Sequence, residues 1–261
     1  MTDIYQEIIE ITTKGEEAAL VSSASIRASA PSEEQTKMLV RADGSLIGSI
    51  GGGNVETEVI KEAIKVIKKG KPRRVLIGVT PEEEKKRGME PGGKLKLFIE
   101  PILPSPTLYI LGGGHVSQSV AKIGKLLGFK IAVIDDRAEF ANPQRFPEAE
   151  LILAEDFRQA FSKLKIDKSS YIVIVTRNHQ NDELVLELAL ATPAKYLGMI
   201  GSKTKNEAIF SHLLAKGISP ELLDKVHAPI GLQIYAQTVE EIAVSILAEI
   251  IKVRRSPPSR Q

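Results

Sequence analysis

The sequence predicts an α/β protein with a smaller N-terminal α+β domain over residues 1–103 and a doubly wound parallel-sheet domain over residues 104–261. Three observations carry this. The stretch Pro101-Ile-Leu-Pro104-Ser-Pro106 places three prolines in six residues, which neither a helix nor a central strand accommodates. After it, short β-branched apolar runs mostly alternate with helical stretches, the pattern of a parallel sheet with crossover helices. Before it, a hairpin signal and two helical stripes read as α+β.

The elements follow in order. Ile4, Ile8, Ile9 and Ile11 form a short helical stripe. Residues 18–25 read as a strand. Residues 37–50 read as a β-hairpin turning at Asp43-Gly44, a pair suited to positive φ. Gly51, Gly52 and Gly53 then lead to Asn54, read as an N-cap. Val55, Val59, Ile60, Ala63, Ile64 and Ile67 make a stripe that stops at Gly70. Residues 74–79 and 95–99 are two more strands, with a polar loop over 80–93 between them. In the second part, residues 108–111, 130–134, 151–153, 171–175 and 196–200 are apolar strand runs. A stripe over 239–251 is the closing helix, followed by a polar, proline-containing tail.

Composition narrows the function. The 261 residues carry a net charge of +2, with 43% hydrophobic and 26% charged residues, ordinary for a globular protein. There is no cysteine. That excludes disulfides, iron–sulfur clusters, thiolate zinc sites and a cysteine nucleophile. Four histidines leave little for a metal site, and none is expected. Charge is balanced in both parts and the lysine runs are interleaved with or preceded by acids, so no nucleic-acid footprint is expected. No apolar run approaches the roughly 18 residues a membrane span needs. The acidic, amphipathic start does not read as a targeting signal, and a cytoplasmic protein is expected.

The clearest local signal is Tyr109-Ile-Leu-Gly112-Gly113-Gly114-His115-Val-Ser117, after an apolar run and before a helical one. It has the form G-x-G-x-x-S. Glycines permit a tight turn and a close approach of phosphate to the backbone, and the helix N-terminus offers free N–H groups. About twenty residues on, Val133-Ile-Asp135-Asp136-Arg137 puts carboxylates at the end of the next strand, where a ribose diol is held in Rossmann-like domains. Arg137 suits a 2′-phosphate, so NAD and NADP both stay open. Adjacent in an extended segment, Asp135 and Asp136 point opposite ways, one toward ligand and the other toward a turn. Thr176 and His179 crest the fourth strand run, where parallel strands line a ligand crevice, so His179 is either a ligand contact or a solvent-exposed loop histidine. Asp182 near His179 makes only a two-donor metal case. Gly201-Ser202-Lys203 either contacts an anion or is a loop with Ser202 as N-cap. His212 reads as a surface residue, and His227, in a short apolar-flanked segment, is either structural or catalytic. In the first part, Gly51, Gly52, Gly53 and Asn54, with Gly92 and Gly93, either expose main-chain N–H groups to an anionic ligand or form tight turns.

Taken together, these segments resemble the xanthine dehydrogenase accessory proteins (XdhC/CoxI family). The resemblance spans nearly the whole chain. It rests on Lys37-Met-Leu-Val-Arg-Ala-Asp-Gly44, Gly48-Ser-Ile-Gly-Gly-Gly-Asn-Val-Glu56, Gly88-Met-Glu-Pro-Gly-Gly93, Gly112-Gly-Gly-His-Val116, the segment 133–143, Gly198-Met-Ile-Gly-Ser-Lys203 and His227-Ala-Pro-Ile-Gly231. It implies an accessory factor that binds molybdenum cofactor, assists its sulfuration with a cysteine desulfurase and hands it to an apo molybdenum hydroxylase. Family members often carry the name xanthine dehydrogenase without that activity, and this chain is too short for the enzyme. The family commonly has cysteine where this chain has Asn54 and Pro91, so the expected hold on molybdenum cofactor is weakened. A thiolate suits molybdenum better than an amide does.

Three functions therefore stand at this point: a molybdenum cofactor delivery factor, an NAD(P)-dependent oxidoreductase, and a nucleotide-sensing regulatory protein. No catalytic residue is assigned. The second domain is expected to hold NAD(P) or another nucleotide, and the chain is expected to form a homo-oligomer (homodimer).

Overall fold

The computed structural model describes residues 3–23, 37–50, 54–78 and 94–256. The glycine loops holding Gly51, Gly52, Gly53, Gly92 and Gly93, the position Pro91, the polar loop over 80–93 and the tail from 257 lie outside the described residues. The chain divides into two compact units, Met1–Pro104 and Ser105–Gln261.

The first unit contains α1 (Ile4–Lys14), β1 (Ala18–Ser23), β2 (Lys37–Arg41), β3 (Leu46–Gly48), α2 (Asn54–Lys69), β4 (Arg73–Gly78) and β5 (Lys94–Ile102). Its strands make one antiparallel sheet in the order β3-β2-β1-β5-β4. Strand alternation splits the apolar residues between two faces. Ala19, Val21, Met38, Val40, Leu97 and Ile99 pack with Val55, Val59, Ala63 and Val66 of α2. Ala18, Leu20 and Leu39 pack with Ile11 of α1. The hairpin turns where expected, with Gly44 at φ 87°. Gly70 ends α2 at φ 60°. Asn54 is the first residue of α2 and not the cap outside it.

One expectation fails at Pro101. Strand β5 runs through it to Ile102, paired with β1 as Ala19 to Pro101 and Ala18 to Ile102. On the other side β4 stops pairing at Arg73 with Ile99. Pro101 is thus in a central strand by order but at an edge locally, where a missing N–H is tolerated.

The second unit contains β6 (Thr107–Leu111), α3 (His115–Leu126), β7 (Lys130–Asp135), β8 (Leu151–Ala154), α4 (Phe157–Lys163), β9 (Ser170–Ile174), α5 (His179–Leu190), β10 (Tyr196–Met199), α6 (Lys203–Ala215), α7 (Pro220–Leu223) and α8 (Val239–Arg255). The five strands are parallel, in the order β10-β9-β6-β7-β8. The apolar runs are continuous because both faces are covered. Leu108, Ile110, Ile131, Val133 and Val173 face α3 and α8. Tyr109, Leu111, Ala132, Ile134 and Ile172 face α4, α5 and α6. The doubly wound, Rossmann-like class is what the sequence predicted. From central β6 the chain winds outward through β7 and β8, then returns to the other side for β9 and β10. The order reverses between β6 and β9, and ligands of such sheets bind at the carboxyl ends flanking that point.

Candidate functional site: the crevice between β6 and β9

Three consecutive glycines after β6 meet three different surroundings. A Cβ on Gly112, which sits at φ 114°, would lie 2.3 Å from the Val175 carbonyl oxygen. The glycine is needed for the β6 turn to lie against the end of β9. A Cβ on Gly113 would lie 2.4 Å from the Phe140 carbonyl oxygen. Gly114, the residue before α3, has no atom of the described residues within 4 Å of such a position. It faces open space at the N-terminus of a twelve-residue helix, where backbone donors and the helix dipole favour an anion. Ser117, fully buried, donates its hydroxyl to the Gly112 carbonyl at 2.6 Å, fixing the turn. This is the small residue expected at the third glycine place. His115 is exposed at the first position of α3.

The segment 136–150 joins β7 to β8 with no helix, and it folds back over the glycine turn. The Asn142 side chain donates to Ala138 and Glu139 carbonyls and accepts from the Arg145 N–H, which makes the loop self-supporting. Phe146, fully buried, anchors it in the core. Arg145 donates from Nη2 to the Gly113 carbonyl at 3.1 Å and to Gln118 Oε1 at 3.3 Å. Its Nε is buried and has no hydrogen-bond partner among the described residues. Arg145 and Phe140 were not legible as site residues, because nothing local in the sequence says that a fifteen-residue connection returns to the turn.

Asp135 ends β7 and is 2% exposed. It does not present a free carboxylate. Oδ1 accepts from the Arg137 N–H at 3.0 Å and Nε at 2.9 Å, and Oδ2 accepts from the Gly113 N–H at 2.7 Å and Arg137 Nη2 at 3.0 Å. Burial works to raise its pKa, but the hydrogen bonds from Arg137 and Gly113 outweigh this and hold it below the usual carboxylate value. The guanidinium of Arg137 lies 3.6 Å over the Phe140 ring. Asp136 accepts from Arg177 Nη2 at 2.9 Å, and its other oxygen lies 3.6 Å from Arg137 Nε. The two carboxylates therefore share Arg137, although they are adjacent in sequence.

On the β9 side, Thr176 is held by the fully buried Asp182, which accepts from the Thr176 N–H at 3.2 Å and its hydroxyl at 2.6 Å. The other oxygen of Asp182 pairs with Lys205. Asp182 is thus spent inside the fold, while His179 is exposed at the start of α5. Asn178 caps that helix by accepting from the Asn181 N–H. After β10, Gly201 sits at φ 153° and Ser202 caps α6 by accepting from the Lys205 N–H, as the cap reading expected. Lys203 is 85% exposed and its one ion-pair partner among the described residues is Glu207, so it is Lys205 that turns inward. Helical phase could have found this: Lys205 and Asn206 share a face with buried Ile209 and Leu213, and Lys203 does not.

His227 lies away from this crevice, beside β10. Its ring stacks on Tyr196 with centroids 4.7 Å apart, and Nδ1 lies 3.3 Å from Glu249, which also accepts from Tyr196 at 2.6 Å and the Gly231 N–H at 3.0 Å. Burial works to raise the Glu249 pKa, but His227, Tyr196 and Gly231 together hold it low. Carboxylates with depressed folded pKa values add stability that is present above their unfolded value, about 4, and is lost as pH falls through the folded value. The second unit should therefore lose stability to denaturant as pH falls from about 5 to about 3, and Asp135→Asn should flatten that dependence while lowering stability at pH 7. An unchanged slope in that variant counts against the assignment.

No helix among the described residues is long and apolar enough to cross a membrane. Among the described residues no three His, Asp or Glu side chains gather as a metal site would need.

Comparison with known proteins adds to the geometry. Residues 108–250 match the family described as XdhC Rossmann domain, and residues 12–78 match the XdhC and CoxI family. The chain is 35% identical over 257 residues to Uncharacterized protein YqeB of Escherichia coli (strain K12), covering 98% of this chain and 47% of that protein. It is 29% identical over 159 residues to a probable xanthine dehydrogenase subunit of Bacillus subtilis (strain 168), covering 61% of this chain and 46% of that one. This chain thus spans about half the length of these two relatives. It is 22% identical to the molybdenum cofactor insertion chaperone PaoD of Escherichia coli (strain K12), covering 97% of this chain and 90% of the chaperone. The crystal structure of a xanthine dehydrogenase from Bacillus halodurans superposes with a TM-score of 0.55 at 22% identity, covering 99% of this chain and 97% of that one. At that identity the likeness concerns the fold.

Proposed function

The chain belongs to the XdhC and CoxI family, and from that premise we propose that it is an accessory factor for a molybdenum hydroxylase, one that holds molybdenum cofactor as cargo for insertion into the apo-enzyme. The observation that carries this reading is the length of the match to a cofactor insertion chaperone, 97% of this chain and 90% of that relative. A cysteine desulfurase acting on the cargo while this chain holds it is the finer form of the proposal.

The residues constrain how the cargo is held. With no cysteine in the sequence, no thiolate ligates molybdenum, and the anionic phosphate and pterin must carry the contact. Separately from the cargo, the crevice of the second unit suits the phosphate of a nucleotide: Gly114 leaves room at the N-terminus of α3, and Arg145 stands over the same turn. We assign that crevice, with Gly112, Gly113, Gly114, His115, Arg137 and Thr176 around it, to a nucleotide or nucleotide-bearing cofactor. The chain is expected to act as an oligomer of like chains in the cytoplasm.

The test is reconstitution of an apo molybdenum hydroxylase with free molybdenum cofactor, with and without this chain. Activation several-fold faster with the chain is the expected result. Equal rates and yields overturn the accessory reading. In a companion measurement the wild type should lose cofactor on gel filtration, and Asn54→Cys with Pro91→Cys should retain more. Stoichiometric retention by the wild type with no gain in the variant shows that sulfur ligation is irrelevant to the hold.

A further inference from the structure

We propose that the carboxyl end of β7 recognises a phosphomonoester on the ligand's ribose, so that the dinucleotide taken by this crevice is of the NADP type and NAD is the poorer ligand. The proposal rests on the nucleotide reading of the crevice given above.

The argument is one of donors and acceptors. A ribose diol is held by a carboxylate with lone pairs to spare. An ionised carboxylate has about four acceptor sites, and Asp135 already receives four donors: the Gly113 N–H and three from Arg137. Accepting two hydroxyls would mean breaking bonds that hold the glycine turn itself. What this end of the strand has left over is donors. A guanidinium has five N–H groups, and Arg137 spends only Nε and one N–H of Nη2 on Asp135. Arg177, 47% exposed, gives one bond to Asp136. Asp136 keeps free lone pairs, but it stands between two guanidinium groups that neutralise both carboxylates.

Arg137 is also held in place as a recognition group would be. One face of its guanidinium is packed 3.6 Å from the centre of the Phe140 ring. Phe140 is in turn held at the glycine turn: its N–H donates to the Arg137 carbonyl at 3.0 Å, and its carbonyl sits where a side chain on Gly113 would be. The free edge and outer face of a planar, immobilised guanidinium match a phosphate in the first case and an adenine ring in the second.

Calorimetric titration of the full chain with NADP+, NAD+, 2′-AMP and 5′-AMP tests this. NADP+ should bind at least tenfold more tightly than NAD+, and 2′-AMP more tightly than 5′-AMP. Arg137→Ala should erase the difference chiefly by weakening NADP+, and Arg137→Lys, which keeps the charge without the fork, should restore part of it. The wild-type ratio alone decides the matter if Arg137→Ala fails to fold. NAD+ binding as tightly as NADP+ overturns the phosphate inference while leaving the nucleotide site standing. No binding by any of the four at millimolar concentration overturns the nucleotide reading and the inference together.

Discussion

Gly112→Ala should be the most damaging single-methyl change in the second unit, lowering its stability by at least about 3 kcal/mol. Two costs add. At φ 114° an alanine leaves the conformations open to L-residues, and its Cβ would stand 2.3 Å from the Val175 carbonyl oxygen. The obstacle is backbone at the carboxyl end of β9, beside the central strand β6, so no side-chain rotation relieves it. For a unit of this size the loss corresponds to a fall in melting temperature of roughly 6–12 °C. Gly114→Ala is the control. Its Cβ meets nothing within 4 Å among the described residues and its φ is −70°, so the melting temperature should move little. If the crevice takes a phosphate against this turn, the same harmless methyl should still weaken ligand binding. Thermal melts of the two variants separate the roles of neighbouring glycines: equal melting temperatures for both would show that β6 and β9 are not pressed together as described.

The contrast also shows what the sequence could and could not reveal. The glycine turn, the small residue at Ser117 and the carboxylate ending β7 were legible because each depends on local order: strand, turn, helix, next strand. The parallel sheet was legible because strands buried on both faces read as unbroken apolar runs. The use made of these residues was not. Gly113 is required by Phe140, twenty-seven residues on, and the ribose carboxylate expected at Asp135 is engaged by Arg137 and the turn. Both follow from a connection that folds back on itself without a helix, and no periodicity announces such a path. Pro101 misled for a related reason. Its meaning depends on where β4 stops pairing, which is a property of the neighbouring strand and not of Pro101.

The second large effect is expected at Asp182. Removing it as Asp182→Ala should cost about 3–5 kcal/mol, because the change leaves Lys205 inside the fold without its anion, strips the Thr176 N–H of its acceptor and leaves the Thr176 hydroxyl only the Asn178 carbonyl at 3.2 Å. Asp182 is fully buried and the Lys205 side chain is 18% exposed, so water cannot readily replace what is lost. The double replacement Asp182→Leu with Lys205→Met should behave differently. Leucine has the branching and heavy-atom count of aspartate, methionine has about the volume of lysine, and neither carries a desolvation penalty; such apolar swaps of buried pairs are often neutral or better. Most of the lost stability should therefore return in the double variant, and the coupling between the two changes should exceed about 2 kcal/mol in a double-mutant cycle closed with the Asp182→Leu and Lys205→Met single variants. Ligand affinity should not return with it. Thr176 crests the β9 side of the crevice, and its position there is set by Asp182, so a stable double variant would have a well-packed core and an unanchored rim. Denaturant melts and nucleotide titration of the single and double variants read the two quantities separately. Recovery of binding along with stability would mean that Thr176 is placed by the backbone of β9 alone, and that the buried pair serves only to join α5 to α6.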